Sequence, residues 1–152
     1  MSAWPIPMPA DPSRVELLVP ADDRLTTAID VVVANAGERA GLSLQEQKDL
    51  IRATAEACDE TFSLSRRNGR SDPRLHVVVS DFPNRVEVSV EQSDGPVPPS
   101  AQAASLSAPE RDPLTAALYH INVDRLHHEI HDGRFRTTLV KYHAAAKPQG
   151  KR

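Results

Sequence analysis

The sequence predicts an α+β fold, a two-layer α/β sandwich in which a mixed or antiparallel sheet of about five strands is covered on one face by three helices. Two segments have the apolar spacing of amphipathic helices, and two pairs of segments alternate as the strands of hairpins. No regular alternation of strand and helix runs through the chain. This order excludes a doubly wound parallel sheet.

Length, charge and cysteine content narrow the class of protein. The 152 residues are enough for one domain with a buried core, and the net charge of -3 gives no electrostatic case for nucleic-acid binding. No apolar run reaches the length of a membrane span and the N-terminus lacks a signal-peptide pattern, so a cytoplasmic protein is expected. The single cysteine, Cys58, lies on the apolar side of a predicted helix, where a buried hydrophobe is expected rather than a nucleophile.

The N-terminal part predicts an arm, a strand and a helix. Four prolines within residues 1–13 favour a disordered arm ahead of a single domain spanning residues 14–143. Arg14–Val19 is rich in strand formers and is closed by Pro20. Asp22 and Asp23 can cap a helix that ends at Gly41. Its apolar stripe consists of Leu25, Ile29, Val32, Val33, Ala36 and Ala40.

A second helix is predicted over Leu44–Phe62, because Ser43 and Glu46 have the spacing of a capping box. At 100° per residue its sequence has two sides. The side expected to face the core holds Leu50, Ile51, Thr54, Ala57, Cys58, Thr61 and Phe62. The opposite side is an acidic stripe of Asp49, Ala53, Glu56 and Glu60, which is either a solvated face or a site.

The C-terminal half predicts two hairpins separated by a loop and a helix. Ser65–Asp72 reads as a loop, and Leu75–Ser80 and Arg85–Glu91 as strands joined by residues 81–84. Residues 93–113 carry five prolines and no periodicity, which is typical of a lid or a disordered segment. A helix is predicted from Pro113, with Leu114, Ala117, Leu118 and Ile121 inward.

The second hairpin is predicted around Asp132-Gly133, a strong turn signal, with strands over Leu126–His131 and Arg134–Tyr142. Residues 144–152 are expected to be a disordered basic tail. On a strand, His127, Glu129 and His131 share one face. Histidine and carboxylate ligands can bind zinc, so one hypothesis is a metal site. The alternative is a solvated face of the hairpin that binds no metal.

Four stretches resemble the Bergerat-fold (GHKL) ATPase domains, and within them the anti-sigma factor serine kinases of the RsbW/SpoIIAB type. These are VPADDRLTTAIDVVVANAGERAGLS near the start, ATAEACDE in the second helix, the hairpin running into SDGP, and DGRFRTTLVKY near the end. The resemblance covers residues 14–142. It implies that residues 93–113 correspond to the lid over the nucleotide.

In that family the second helix ends in Glu-Ala-x-x-Asn, where the glutamate is the base or orients water and the asparagine holds the magnesium of ATP. Here the corresponding residues are Glu56-Ala57-Cys58-Asp59-Glu60. The resemblance therefore implies a catalytic role for Glu56 and a metal-binding position at Glu60. A carboxylate at that position is a good magnesium ligand, but it also adds negative charge beside the phosphates.

The family's next motif, Asp-x-Gly-x-Gly, holds adenine through its aspartate. The matching stretch is Ser93-Asp94-Gly95-Pro96-Val97, in which Gly95 is retained and Ser93 replaces the aspartate. A shift of one residue assigns the role to Asp94 instead, and an ordinary turn is the alternative to both. The family's Gly-x-Gly ahead of the third helix is missing, because no glycine lies between Gly95 and Gly133.

The resemblance implies a regulatory protein that acts by partner switching, with a sigma factor or a STAS-type antagonist, or both, as its partner and a homodimer as its form. Because the nucleotide motifs are altered, binding of ATP and Mg²⁺ is expected to be weak or lost. Two alternatives stay open: an active ATP-dependent serine kinase that uses Glu56, and a stand-alone binding module with no nucleotide or sigma factor. Magnesium-dependent ATP binding separates the first alternative from the other hypotheses.

Overall fold

A computed structural model describes residues 13–69, 72–93, 119 and 122–144. Residues 1–12 of the predicted arm, nearly all of the lid-like loop, nearly all of the predicted third helix and almost all of the predicted tail lie outside these residues, and Ser13 belongs to β1 rather than to the arm. Seven elements follow in chain order: β1 Ser13–Pro20, α1 Asp23–Arg39, α2 Leu44–Arg67, β2 Arg74–Phe82, β3 Arg85–Gln92, β4 Arg125–His131 and β5 Arg134–Tyr142.

The five strands form one sheet in the order β1-β2-β3-β5-β4, and every neighbouring pair is antiparallel. The predicted α+β class is therefore confirmed, with an antiparallel rather than a mixed sheet. Two helices, α1 and α2, pack on the sheet within the described residues. Of the residues predicted for the third helix between Pro113 and Ile121, the structure describes Tyr119 alone, and both Tyr119 and Asn122 are helical.

The predicted helix starts are confirmed. The side chain of Asp22 caps α1, and Ser43 and Glu46 form the complete capping box of α2. The prediction of a loop from Ser65 was wrong, because α2 continues to Arg67. Ser65 is fully buried, so the packed side of α2 extends past Phe62. None of the described helices is long and apolar enough to cross a membrane.

The helix α1 packs on the sheet through a narrower side than its sequence predicts. Ile29 and Val33 are buried, but Leu25 at the end of the predicted stripe is 45% exposed. On another side α1 approaches α2 at Gly37, where an added Cβ would lie 2.8 Å from the Cγ of Gln47. A side chain at this position would force Gln47 or the helices to shift. Gly41, which follows α1, has a φ of +82° and so reverses the chain.

One face of the sheet lies under the helices, and the predicted alternation along β3 is confirmed, because Val86, Val88 and Val90 are buried. The two hairpins fix the register: Pro83 and Asn84 alone form the first turn, which is shorter than predicted because Asp81 and Phe82 belong to β2. Asp132 and Gly133 form the second turn, with φ values of 51° and 77°. The fully buried aliphatic residues of this face are Leu75, Val77, Val79, Val86, Val88, Val90 and Leu139.

Candidate functional site

The acidic stripe of α2 faces β5 and Tyr119. A stripe opposite the core would face solvent instead. Ala53 in the middle of the stripe is 2% exposed, which corrects its placement away from the core. At one end of the stripe, Asp49 pairs with Lys141 of β5 at 3.7 Å. At the other end, Glu60 accepts a hydrogen bond from Tyr119. The buried side of α2 is thus wider than its apolar residues indicate, because carboxylates with partners can line a core.

The contact between Glu60 and Tyr119 is the centre of the candidate site. The Tyr119 hydroxyl donates to Oε2 of Glu60 over 3.0 Å, and Tyr119 is 1% exposed. Buried tyrosine normally satisfies its hydroxyl in this way, and a carboxylate acceptor makes the bond stronger than a neutral one. Tyr119 is therefore hydrogen-bonded to the C-terminal half of α2, at the position where the resemblance predicts the metal.

Tyr119 also packs on a pair of rings from the sheet. The edge of its ring meets His128 of β4 with centroids 6.1 Å apart, and His128 stacks on Phe135 of β5 at 5.6 Å. Nδ1 of His128 lies 2.8 Å from the hydroxyl oxygen of Thr137. A histidine held in this way has a fixed ring orientation, so the three rings form an ordered stack between α2 and the sheet.

Polar groups continue along the covered face of the sheet beside this stack. Gln92 at the end of β3 is 1% exposed, and its Oε1 accepts a hydrogen bond from the backbone N–H of Phe135. Thr137 is equally buried, and it lies opposite Val90 in the register. This end of the interior is polar and internally hydrogen-bonded, in contrast to the aliphatic centre of the sheet.

A shallow cavity of about 500 Å³ lies on the β4 side of Tyr119. Its lining mixes apolar side chains with charged ones, and it opens toward the edge strand β4. It is lined by Tyr119, Val123, Asp124, Arg125, Leu126 and His127. Of the predicted nucleotide-binding residues that the structure describes, Glu56, Glu60 and Ser93, none lines this cavity.

The structure describes three of the five predicted site residues. Glu56 and Glu60 are both half-buried on α2, one turn apart on the same side of the helix. Ser93 follows β3 directly, and its backbone N–H donates to the carbonyl of Arg74 at 2.9 Å. Asp94 and Gly95 lie outside the described residues. The structure thus brings Glu56 and Glu60 together, and Ser93 is tied to the start of β2.

Sequence patterns missed four residues of this region: Tyr119, His128, Gln92 and Lys141. The alternation along β5 was a usable signal for Lys141, because Phe135, Thr137 and Leu139 on the same face are buried. No such signal was available for Tyr119. Its partner Glu60 is distant in sequence. In the helix predicted from Pro113, the residues expected to face the core were Leu114, Ala117, Leu118 and Ile121, not Tyr119.

The histidine cluster, which consists of His127, Glu129 and His131, shares one face of β4, as its spacing predicts. This is the open face of the sheet. Glu129 is already engaged, because Arg136 donates hydrogen bonds to it and thereby lowers the pKa of the Glu129 carboxyl. His131 pairs with Glu91 at 3.5 Å, and His127 lies 3.7 Å from Glu129. Within the described ranges no three potential ligands converge on a metal position. These contacts favour a solvated ionic surface.

Cys58 is buried at 3% exposure, as predicted. Burial raises the pKa of its thiol to about 12, and the carboxylates of Asp59 and Asp30 add to that shift. The thiolate is the reactive form, so the folded protein should react with a thiol reagent at least about a hundredfold more slowly than the unfolded chain at neutral pH. Stopped-flow labelling with and without denaturant measures the ratio. Equal rates in both states would contradict the buried position of Cys58.

Comparison with known proteins adds no relative to this description. No protein-family model matches the chain, and no curated protein matches it significantly in sequence.

Proposed function

We propose that this chain is a cytoplasmic regulatory protein of the anti-sigma factor kinase type that binds its protein partner with weak or lost ATP binding. The observation that carries the proposal is the hydrogen bond from Tyr119 to Glu60. Glu60 stands where the resemblance puts the magnesium ligand. Its carboxylate already accepts a hydrogen bond from a side chain of the same chain, and that bond competes with a metal ion for Oε2.

The cost of displacement supports weak binding. A metal ion that takes Oε2 of Glu60 must replace a charge-assisted hydrogen bond from Tyr119. Losing that bond costs about 1.5–3 kcal/mol. Two carboxylates, Glu56 and Glu60, further disfavour the phosphates of ATP.

The outer surface of the helices supports protein binding. Val31 on α1 and Leu44 at the start of α2 are 56% and 75% exposed. Asp30 on α1 is half-buried and Asp59 on α2 is exposed. Partial desolvation raises the pKa of each carboxyl, with Asp23 adding to the shift at Asp59. Carboxylates whose pKa is raised in this way gain from a cationic neighbour. A sigma factor binds DNA and presents basic surfaces, so it is a complementary partner.

ATP titration tests the loss of nucleotide binding. We expect millimolar MgATP to leave both the heat of binding and the thermal midpoint of the wild-type protein unchanged. Binding at one hundred times Kd would stabilise the fold by about 2.7 kcal/mol, which a thermal scan detects easily. The variant Glu60→Asn removes the negative charge at this position and restores the family's residue. Its matched control is Glu38→Asn, which makes the same change on the exposed surface of α1. Saturable stabilisation of the wild type by MgATP would instead support the active kinase that uses Glu56.

A partner assay separates the regulator from a stand-alone module. Purified sigma factors and STAS-type antagonists are presented to the full chain, and affinity is measured for the wild type, Leu44→Asp and Val31→Asp. We expect the substitutions to weaken binding at least about tenfold, because each places a charge in the apolar part of the surface. Asp72→Asn, an exposed change distant in sequence from both, is the control. Absence of binding to every sigma factor and antagonist would favour the stand-alone module.

A further inference from the structure

We propose that the outer edge of β1 is a docking site for the chain's own N-terminal segment, residues 1–12, which adds to it as an antiparallel strand with Ile6 opposite Glu16. The segment and β1 then form a hairpin whose turn lies at residues 10–12. The added strand pairs on one side only, so it closes this edge of the sheet to strands from other molecules. The inference does not depend on the proposed regulatory function.

The first observation is the backbone of β1 at the edge of the sheet. Among the described strands β1 pairs with β2 alone. The N–H of Ala21 donates to the carbonyl of Pro73 over 3.2 Å, and these residues are opposite each other when the β1–β2 register is continued. Odd-numbered residues of β1 therefore exchange hydrogen bonds with β2, and even-numbered residues direct theirs outward. The outward N–H groups belong to Arg14, Glu16 and Leu18.

The second observation is the spacing of the prolines in residues 1–12, which lie outside the described part of the chain. Pro5, Pro7 and Pro9 occupy alternate positions. In an extended strand the backbone groups of alternate residues point to opposite edges, so these three prolines share one edge. Proline suits an edge strand when its nitrogen faces away from the sheet, and this spacing meets that condition three times. The N–H groups on the other edge belong to Trp4, Ile6 and Met8.

The start of β1 selects the register of the pairing. Ser13 already belongs to β1 and pairs with β2, so the turn between the two strands lies before it. Residues 10–12, Ala-Asp-Pro, contain residue types that favour turns. A three-residue loop at this place brings the outward N–H groups of β1 opposite those of the segment. The resulting pairs are Met8 with Arg14, Ile6 with Glu16, and Trp4 with Leu18.

A shift of this register by two residues along β1 is unfavourable. It would place Ser13 in the turn, although Ser13 is part of the strand. It would also set Trp4 opposite Pro20, which has no N–H to donate. The register with Ile6 opposite Glu16 avoids both faults.

The side chains of β1 are compatible with this pairing on both faces of the sheet. Leu17 packs against the core, so Leu18 lies on the open face, where it is 61% exposed although it is large and apolar. Trp4 opposite Leu18 gives it an apolar cross-strand neighbour. On the helix face the prolines lie beside Val15 and Leu17, which are half-buried. Between residues 5 and 9 the new outer edge has no N–H group, so a further strand finds no donors there.

Cysteine cross-linking tests the register. Residues 6 and 16 form a hydrogen-bonded pair with Cα atoms about 5.5 Å apart, within the range that a disulfide spans. We expect the variant Ile6→Cys with Glu16→Cys to form a disulfide within one molecule on mild oxidation. The matched control is Pro7→Cys with Glu16→Cys, because residues 7 and 16 point to opposite faces of the sheet. The buried Cys58, with a thiol pKa of about 12, does not compete.

The two variants separate a paired segment from an unpaired one. Their loops differ by one residue, so in an unpaired segment both disulfides would close at nearly the same rate. We expect the variant with Ile6→Cys to close at least about tenfold faster than the control. Equal rates would overturn the proposal. A disulfide that joins two molecules instead would assign the β1 edge to a second copy of the chain and would contradict it as well.

Amide exchange tests the pairing without introduced cysteines. The N–H of Glu16 points away from β2, so it is protected only if the segment covers it, whereas the N–H of Leu17 is bonded to β2 in either case. The variant Ile6→Pro removes the N–H that faces Glu16. Its control, Ile6→Ala, truncates the side chain and keeps that N–H. We expect exchange at Glu16 to be at least about tenfold slower in the wild type than in Ile6→Pro, with Leu17 alike in all three proteins. Fast exchange at Glu16 in the wild type, or equal effects of the two substitutions, would refute the docking.

Discussion

Phe135→Ala should lower the free energy of unfolding by about 4 kcal/mol, as expected when a buried phenylalanine is reduced to alanine. Phe135 is 1% exposed on the covered face of β5, and its ring supports His128, against which Tyr119 packs. The substitution therefore removes apolar contact area and leaves a cavity at the base of the ring stack. Urea unfolding followed by circular dichroism measures the change, provided that the m-value stays constant.

Phe82→Ala is the matched control for this substitution. Phe82 lies at the end of β2, half-buried, and its ring is covered by the guanidinium of Arg85 at 3.8 Å. We expect a loss of only about 1 kcal/mol, from one cation–π contact and partial burial. If both variants lost the same stability, Phe135 would not lie in a tightly packed interior.

Asp49→Ala should cost about 3 kcal/mol, although it removes only a few atoms from the helix. The Nζ atom of Lys141 lies 3.7 Å from Oδ2 of Asp49, and the side chains of Lys141 and Asp49 are 5% and 18% exposed. Without its partner the lysine is a buried charge with no compensation. Breaking one side of a buried ion pair is therefore far more destabilising than the net contribution of the pair.

The double variant Asp49→Ala with Lys141→Met separates the cost of leaving Lys141 unpaired from the net contribution of the ion pair. Methionine has nearly the volume of lysine and carries no charge, so we expect most of the lost stability to return. Asp72→Ala is the surface control, because its pair with Arg74 is exposed on both sides and should change stability by less than about 0.5 kcal/mol. Equal losses in Asp49→Ala and the double variant would mean that Lys141 reaches solvent when unpaired.

Local signals in the sequence predicted the elements well. The capping box at Ser43 fixed the start of α2, and the Asp132-Gly133 pair fixed the second hairpin, because each depends on groups within a few residues. Strict alternation along β3 likewise predicted which of its residues are buried. These features depend on chain geometry, which a single sequence contains.

The candidate site was harder to predict, because its contacts join distant parts of the chain. Glu60 was assigned to a magnesium site by resemblance, yet it is bonded to Tyr119, 59 residues later. The stripe through Asp49 and Ala53 was predicted to lie opposite the core. That prediction used only the polarity and spacing of the residues, which do not show the partners that the fold brings near them. A carboxylate that meets Lys141 or a tyrosine hydroxyl can be covered where an unpaired one could not.

The strand order has a consequence for the cooperativity of the molecule. The sheet consists of a three-stranded part, β1-β2-β3, and a two-stranded part, β5-β4, and among the described strands only the β3–β5 pairing joins them. Each part has a tight hairpin of its own, but the joint closes across a long stretch of sequence. Amide protection along β3 and β5 therefore reports whether the two parts open as one unit or separately. Since α2 contacts both strands, we expect the two parts to unfold together.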